Sequence, residues 1–130
     1  MHSCNLTAPA DVLLVEGAGG FYSPLCTNGL NADLAQKLKC NVLLIVQDRL
    51  GCINQALLAI EAIQRRKLTL LAVVLNQYRE HEERAMDNLE DLHARLSFPV
   101  IPIPHMQHAD QSLLDLQYQS VDELLKIIAQ

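Results

Sequence analysis

Four uninterrupted apolar runs constrain this chain more than any other feature: 12-VLLV-15, 42-VLLIV-46, 70-LLAVVL-75 and 100-VIPI-103. None alternates apolar with polar residues, which is the pattern of strands covered on both faces, as in parallel sheets. Helical patterns lie between them. The stretch 30–39 is apolar at 30, 34, 35 and 38, and 53–66 is apolar at 53, 56, 57, 60 and 63 before ending in Arg65 and Arg66, basic residues that suit a helix C-terminus. The stretch 80–96 predicts a polar-faced helix with acids in its first turn, and 121–129 a C-terminal helix. Strand–helix alternation at this spacing predicts right-handed crossovers and a doubly wound, mainly parallel α/β sheet with flanking helices. The fourth strand is limited by Pro99, Pro102 and Pro104, and 105–120 is the longest stretch without a pattern.

A chain of 130 residues suffices for one domain with one sizeable core, so residues 1–130 are expected to form a single domain. With 4% aromatic residues and no Trp, that core has to be aliphatic. A net charge of −5 argues against nucleic-acid binding, which needs a basic face. No apolar run approaches the roughly 18 residues of a membrane span. The opening MHSCNLTAPAD lacks the basic-then-apolar order of a signal peptide, so a cytoplasmic protein is expected. Cys4, Cys26, Cys40 and Cys52 lie too far apart for a C-x-x-C zinc pair and read as reduced thiols filling small apolar spaces.

In open α/β sheets, ligands bind at the carboxyl ends of the strands. The first run ends in Glu16, followed by Gly17, Ala18, Gly19 and Gly20. A strand-terminal acid can hold Mg²⁺ beside nucleotide phosphates, and glycines let backbone N–H groups approach an anion. The same pattern fits a helix cap or a surface charge beside an ordinary turn. After the second run, Gly51 precedes a helix whose first N–H groups, near Cys52 and Ile53, could receive a carboxylate or phosphate, with Asn54 adding an amide. An ordinary strand-to-helix turn reads identically. The third run ends in Asn76 and Gln77; an Asn there can both donate to and accept from a nucleobase edge, or simply turn the chain. His105, His108 and Asp110 have a spacing conceivable for a metal, but nothing completes the ligand set. His81, His93 and the acids from Glu80 to Asp91 read as an exposed helix face.

Together, 11-DVLLVEGAGGFYSPL-25, 42-VLLIVQDRLGCINQALL-58, 68-LTLLAVVLN-76 and, more loosely, 102-PIPHM-106 resemble the dethiobiotin synthetases. The resemblance covers nearly the whole chain from residue 11 onward. It implies a P-loop NTPase-like fold and ATP- and Mg²⁺-dependent closure of a cyclic urea on 7,8-diaminopelargonate with CO₂. It implies that Glu16 is an Mg²⁺ ligand and that Gly17, Ala18, Gly19 and Gly20 line the phosphate and substrate pocket. Gly51, Cys52, Ile53 and Asn54 would form a substrate-carboxylate site that the family builds across a homodimer interface. Asn76 would read adenine with Gln77 beside it, and Pro104, His105 and Met106 would border the base.

Several family elements have no counterpart here. No G-x-x-x-x-G-K-[ST] occurs, so the phosphate cradle and its lysine are missing. Asn88 stands where the family carries a substrate-contacting Tyr, and the Gly before the I-P of the fourth loop is absent. The chain therefore resembles the C-terminal part of the enzyme. Three readings follow: a ligase portion inactive by itself, one half of a split enzyme completed by a P-loop polypeptide, or a noncatalytic nucleotide-binding remnant. Loss of the P-loop strand is expected to leave an apolar strand at 12–15 with an unpaired edge.

Overall fold

A computed structural model describes residues 12–77, 87–105 and 111–128. A short antiparallel pair, β1 (Pro24–Cys26) and β2 (Gly29–Leu30), leads into helix α1 (Asn31–Leu38). Then come β3 (Val42–Gln47), α2 (Cys52–Arg65), β4 (Leu70–Asn76), α3 (Asn88–Arg95), β5 (Val100–Ile103) and α4 (Gln111–Ile128). Strands β3, β4 and β5 form a parallel sheet in that order. The expected α/β class and parallel pairing are therefore observed, and three of the four apolar runs are its strands.

The core explains why these runs pair. Val46, Val73, Leu75 and Val100 project from the sheet onto Cys52, Ala56, Ile60 and Ile63 of α2 and Leu92 of α3. Alternation along the strands sends Ala72, Val74 and Ile101 to the opposite face, where they too are buried. Helix α4 packs against β4 and β5. This cover stops short of β3: Ile45 pairs in register with the buried Val74, yet is 60% exposed.

The sheet's two edges differ. Val73 and Gln77 donate from their N–H groups to the carbonyls of Pro99 and Ile103. Residues of that parity face β4, so Pro102 faces outward. It has no N–H to offer, and its carbonyl accepts from the buried Ser120 hydroxyl of α4 at 2.8 Å. At the other edge, Val42 and Asp48 donate toward β4's side of the ladder, which turns the N–H and C=O of Leu43, Ile45 and Gln47 outward.

Three expectations are corrected. The run 12–15 is not a strand, and Val12, Leu13, Leu14 and Val15 are all exposed, Leu14 at 73%. An apolar run becomes a strand only when another strand meets its backbone groups, and none does so here among the described residues. The open sheet edge consequently belongs to β3. The stretch expected to be irregular up to residue 120 is helical from Gln111, so the C-terminal helix is ten residues longer at its start than its apolar spacing suggested. Helix α3 begins at Asn88, with Asp87 as its N-cap accepting from the N–H groups of Leu89 and Glu90; most of the expected first half of that helix, with His81, lies outside the described residues. The β1–β2 pair had no signal in the apolar pattern. Among the described residues, no helix is long and apolar enough to cross a membrane.

Candidate functional site

The parallel register brings three loops side by side. Gln47 pairs with Asn76, and Asn76 with Ile103, so the strands end level with one another. Beyond this line the backbones remain joined: Asp48 N–H donates to the Asn76 carbonyl and Gln77 N–H to that of Ile103, each at 2.9 Å. Asn76 and Gln77 are half-buried, Pro104 is buried and His105 half-buried. Met106, His108 and Asp110 lie outside the described residues.

Asp48 organises this edge, and sequence reasoning passed over it. Its carboxylate accepts from Asn88 Nδ2 at 2.8 Å and, more loosely, from Gln77 Nε2 at 3.5 Å. An ionised carboxylate only accepts, so both amides must turn their NH₂ groups toward it and their oxygens away. One side chain thus couples the ends of β3 and β4 to the first turn of α3. The available signal was a single charged residue directly after a strand, within the stretch where ligands are expected.

The turn into α2 is built around Gly51, whose φ of 87° lies in the left-handed region. Nothing stands within 4 Å of where a Cβ would be, so backbone conformation rather than crowding calls for glycine. Contrary to expectation, the Cys52 N–H is already engaged, donating to the Arg49 carbonyl at 3.0 Å. The Cys52 side chain is buried, and burial pushes its thiol pKa up. That describes a packing thiol, not a nucleophile. Ile53 leans on the core and Asn54 is exposed. The reading of the cysteines as buried holds for Cys52; Cys26 is exposed and Cys40 intermediate.

The glycine loop is shaped by two residues that sequence reasoning also missed. Asn31, at the start of α1, donates from Nδ2 to the carbonyls of Ala18 (2.9 Å) and Gly20 (3.1 Å). Its side chain would stand 2.8 Å from a Cβ on residue 17, so any other residue there would push the Asn31 amide from its place. Ser23 accepts the Gly20 N–H on its hydroxyl at 2.7 Å and returns its own N–H to the Gly20 carbonyl at 2.9 Å. Gly20 therefore offers no N–H to an anion in this conformation. Glu16 is exposed. Among the described residues no cluster of His, Cys, Asp and Glu gathers for a metal. One carboxylate still suits Mg²⁺, which takes one or two carboxylates along with phosphates and water.

These two assemblies hang on opposite ends of α2. At its C-terminal end Arg66 donates to Asp33 Oδ1 at 2.6 Å and to Gln36 Oε1 at 3.1 Å, and lies over the Tyr22 ring at 5.5 Å. This ties down α1 and, through it, the glycine loop. Gly51 to Asn54 open the other end, about 20 Å away at 1.5 Å per helical residue. The structure thus brings Gln47, Asp48, Asn76, Gln77 and Asn88 together, while the anchor of the Glu16 loop is elsewhere. An open cavity of about 650 Å³ lies between the β1–β2 pair and α1, lined by residues including Leu25, Leu30, Leu34 and the Arg66 partners Asp33 and Gln36.

Comparison with known proteins supplies the context. The profile of a family described as an AAA domain matches residues 1–111. The ATP-dependent dethiobiotin synthetase BioD of Aromatoleum aromaticum is 46% identical over 107 residues, covering 82% of this chain and 48% of the relative. Its namesake from Nitrosospira multiformis is 39% identical over 116 residues, covering 85% of this chain and 51% of the relative. That from Vesicomyosocius okutanii is 51% identical over 67 residues, covering 52% and 31%. The chain spans about half or less of the length of these relatives.

Proposed function

The chain belongs to the AAA domain family, and on that footing we propose that it carries the adenine- and substrate-facing part of an ATP-dependent dethiobiotin synthetase. The reaction is closure of the ureido ring from 7,8-diaminopelargonate and CO₂. The single observation behind this reading is the 46% identity to the Aromatoleum enzyme. It falls on a chain whose strand ends, Gln47, Asn76 and Ile103, stand in one line, where α/β sheets take their ligands.

Each residue has a role in this proposal. Asn76 reads the adenine edge; Gln77, Pro104, His105 and Met106 flank it. Glu16 holds Mg²⁺ against the phosphates, with Gly17, Ala18, Gly19 and Gly20 alongside. Gly51, Ile53 and Asn54, with Cys52 packed beneath them, receive the substrate carboxylate across a homodimer interface. Residues 1–130 act as one C-terminal unit. Chemistry also needs cationic neutralisation of the transferred phosphate, and no G-x-x-x-x-G-K-[ST] segment occurs in the sequence. Residues 1–130 alone are therefore inactive, and turnover needs such a segment supplied from outside them.

The test is direct. Purified chain given ATP, Mg²⁺, bicarbonate and 7,8-diaminopelargonate should form no dethiobiotin above a no-protein control. Measurable product would refute the claim of inactivity. In any active reconstituted complex, Glu16→Gln should raise the Mg²⁺ concentration needed for half-maximal rate; an unchanged requirement would remove Glu16 from the metal site.

A further inference from the structure

We infer that Asp48 is a positioning residue for base selection. By holding the amides of Gln77 and Asn88 with their oxygens outward, it makes the strand-end edge select nucleotides whose base carries an exocyclic amine over those with a carbonyl in its place. This rests on the reading of that edge as the base site of an ATP-dependent enzyme.

Asp48 grips the Asn76–Gln77 pair twice. Its N–H donates to the Asn76 carbonyl at 2.9 Å, and its carboxylate accepts from Gln77 Nε2 at 3.5 Å. The pair is held from the far side as well, where the Gln77 N–H donates to the Ile103 carbonyl at 2.9 Å. The pleat explains why these side chains meet. Gln77 continues the parity of Val73 and Leu75, and Asp48 that of Val46, toward α2 and α3. Asn88, in the first turn of α3, reaches the same carboxylate from that side, its Nδ2 donating at 2.8 Å. Asp48, Asn76, Gln77 and Asn88 are all half-buried, so water competes less for these bonds than at an open surface.

Orientation follows from the acceptor. The carboxylate gives Oδ1 to Asn88 and Oδ2 to Gln77. An amide donates at one end and accepts at the other, so each NH₂ drawn inward turns its C=O outward. An outward amide oxygen accepts from the amino group of adenine or cytosine. Against the carbonyl of hypoxanthine, guanine or uracil it meets a second acceptor, and both are left unsatisfied. A freely turning amide matches either kind of base, because it can offer either end. Selection therefore needs an amide whose orientation is set, and Asp48 sets two of them beside Asn76.

The test titrates the chain with AMP and with IMP, which share ribose and phosphate and differ only at the amine-bearing edge of the base. Binding is followed by the amide resonances of Gln77. AMP should bind about tenfold more tightly than IMP, the effect of one mismatched polar group. In Asp48→Asn the new side chain offers one oxygen and one NH₂, so at least one of the two amides has to reverse. The AMP-to-IMP ratio should then fall to within about threefold of one, with unchanged circular dichroism. A residue that only supported the fold would weaken both nucleotides alike and leave the ratio as it was. If that variant fails to fold, Gln77→Met, which keeps the length of the side chain and removes both amide atoms, should lower the ratio comparably. Equal affinity for AMP and IMP in the unaltered chain, binding of neither, or an undiminished ratio in the folded variant overturns the assignment. Dethiobiotin formation in a reconstituted complex is read separately. A ratio lost in the variant with no product from any complex keeps the role of Asp48 and refutes the ligase reading; product formed equally from ATP and ITP does the reverse.

Discussion

Two stretches of this molecule, 12-VLLV-15 and 42-VLLIV-46, are nearly the same peptide with opposite fates. The second is a parallel strand with Val46 5% exposed, and the first lies in the open with Leu14 at 73%. Local propensity does not distinguish them, because both are β-branched and leucine-rich. What differs is the neighbour: β4 satisfies one edge of β3 and α2 covers one face, whereas 12–15 has neither among the described residues. An apolar run is therefore a request for partners, and the partner's presence decides whether it becomes structure.

Substitutions on either side of this contrast can break it. The largest effect is expected at Leu75, fully buried in the paired region. Leu75→Ala should destabilise by about 2–5 kcal/mol through lost burial and the cavity left behind, read as a lower denaturant midpoint. Next comes Asp87→Ala, which removes the acceptor for two N–H groups at the start of α3 and should cost about 0.5–2 kcal/mol. Acid should loosen the other side of the contrast first. Asp33 is held below its usual 3.8 by the Leu30 N–H and then by Arg66. Its contribution is therefore present above pH 3.8 and lost as pH falls through the lower folded value. Amide exchange in α1 should accelerate in that window while β4 stays protected, and Asp33→Asn should show the faster exchange already at neutral pH. The smallest effect belongs to Leu14→Ala, expected within about 0.5 kcal/mol in the chain alone. A larger loss would mean that 12–15 is packed in solution, and the contrast between the two runs would fall.

Much of the fold was legible because the relevant signals are local and periodic. The runs at 42, 70 and 100 and the helical spacing of 53–66 each matched one element. Where legibility failed, the cause lay outside the local peptide. Leu113 to Ser120 show no clean apolar stripe, yet α4 continues through them, with Ser120 spending its hydroxyl on Pro102. The run 12–15 had the right composition and the wrong surroundings. In the candidate site, Gly51, Asn76 and Gln77 could be located because strand ends mark ligand positions. Asn31 and Asp48 could not, because their parts depend on hydrogen bonds to groups 11 to 40 residues away, and the Ser23 bond to Gly20, though local, has no pattern in the apolar spacing. The departure noted at Asn88 proves to be one half of such a bond.

The proline at the far edge of the sheet bears on how this molecule can assemble. With Pro102 lacking a donor and its carbonyl taken by Ser120, β5 cannot template another strand, while β3 can. A sheet that grows from one side only has a chain-terminating end built in. Association through it stops at a single addition, or at two copies meeting edge to edge, and cannot propagate into a fibre. Stoichiometry, and not merely affinity, is thereby limited by one imino acid and one hydroxyl.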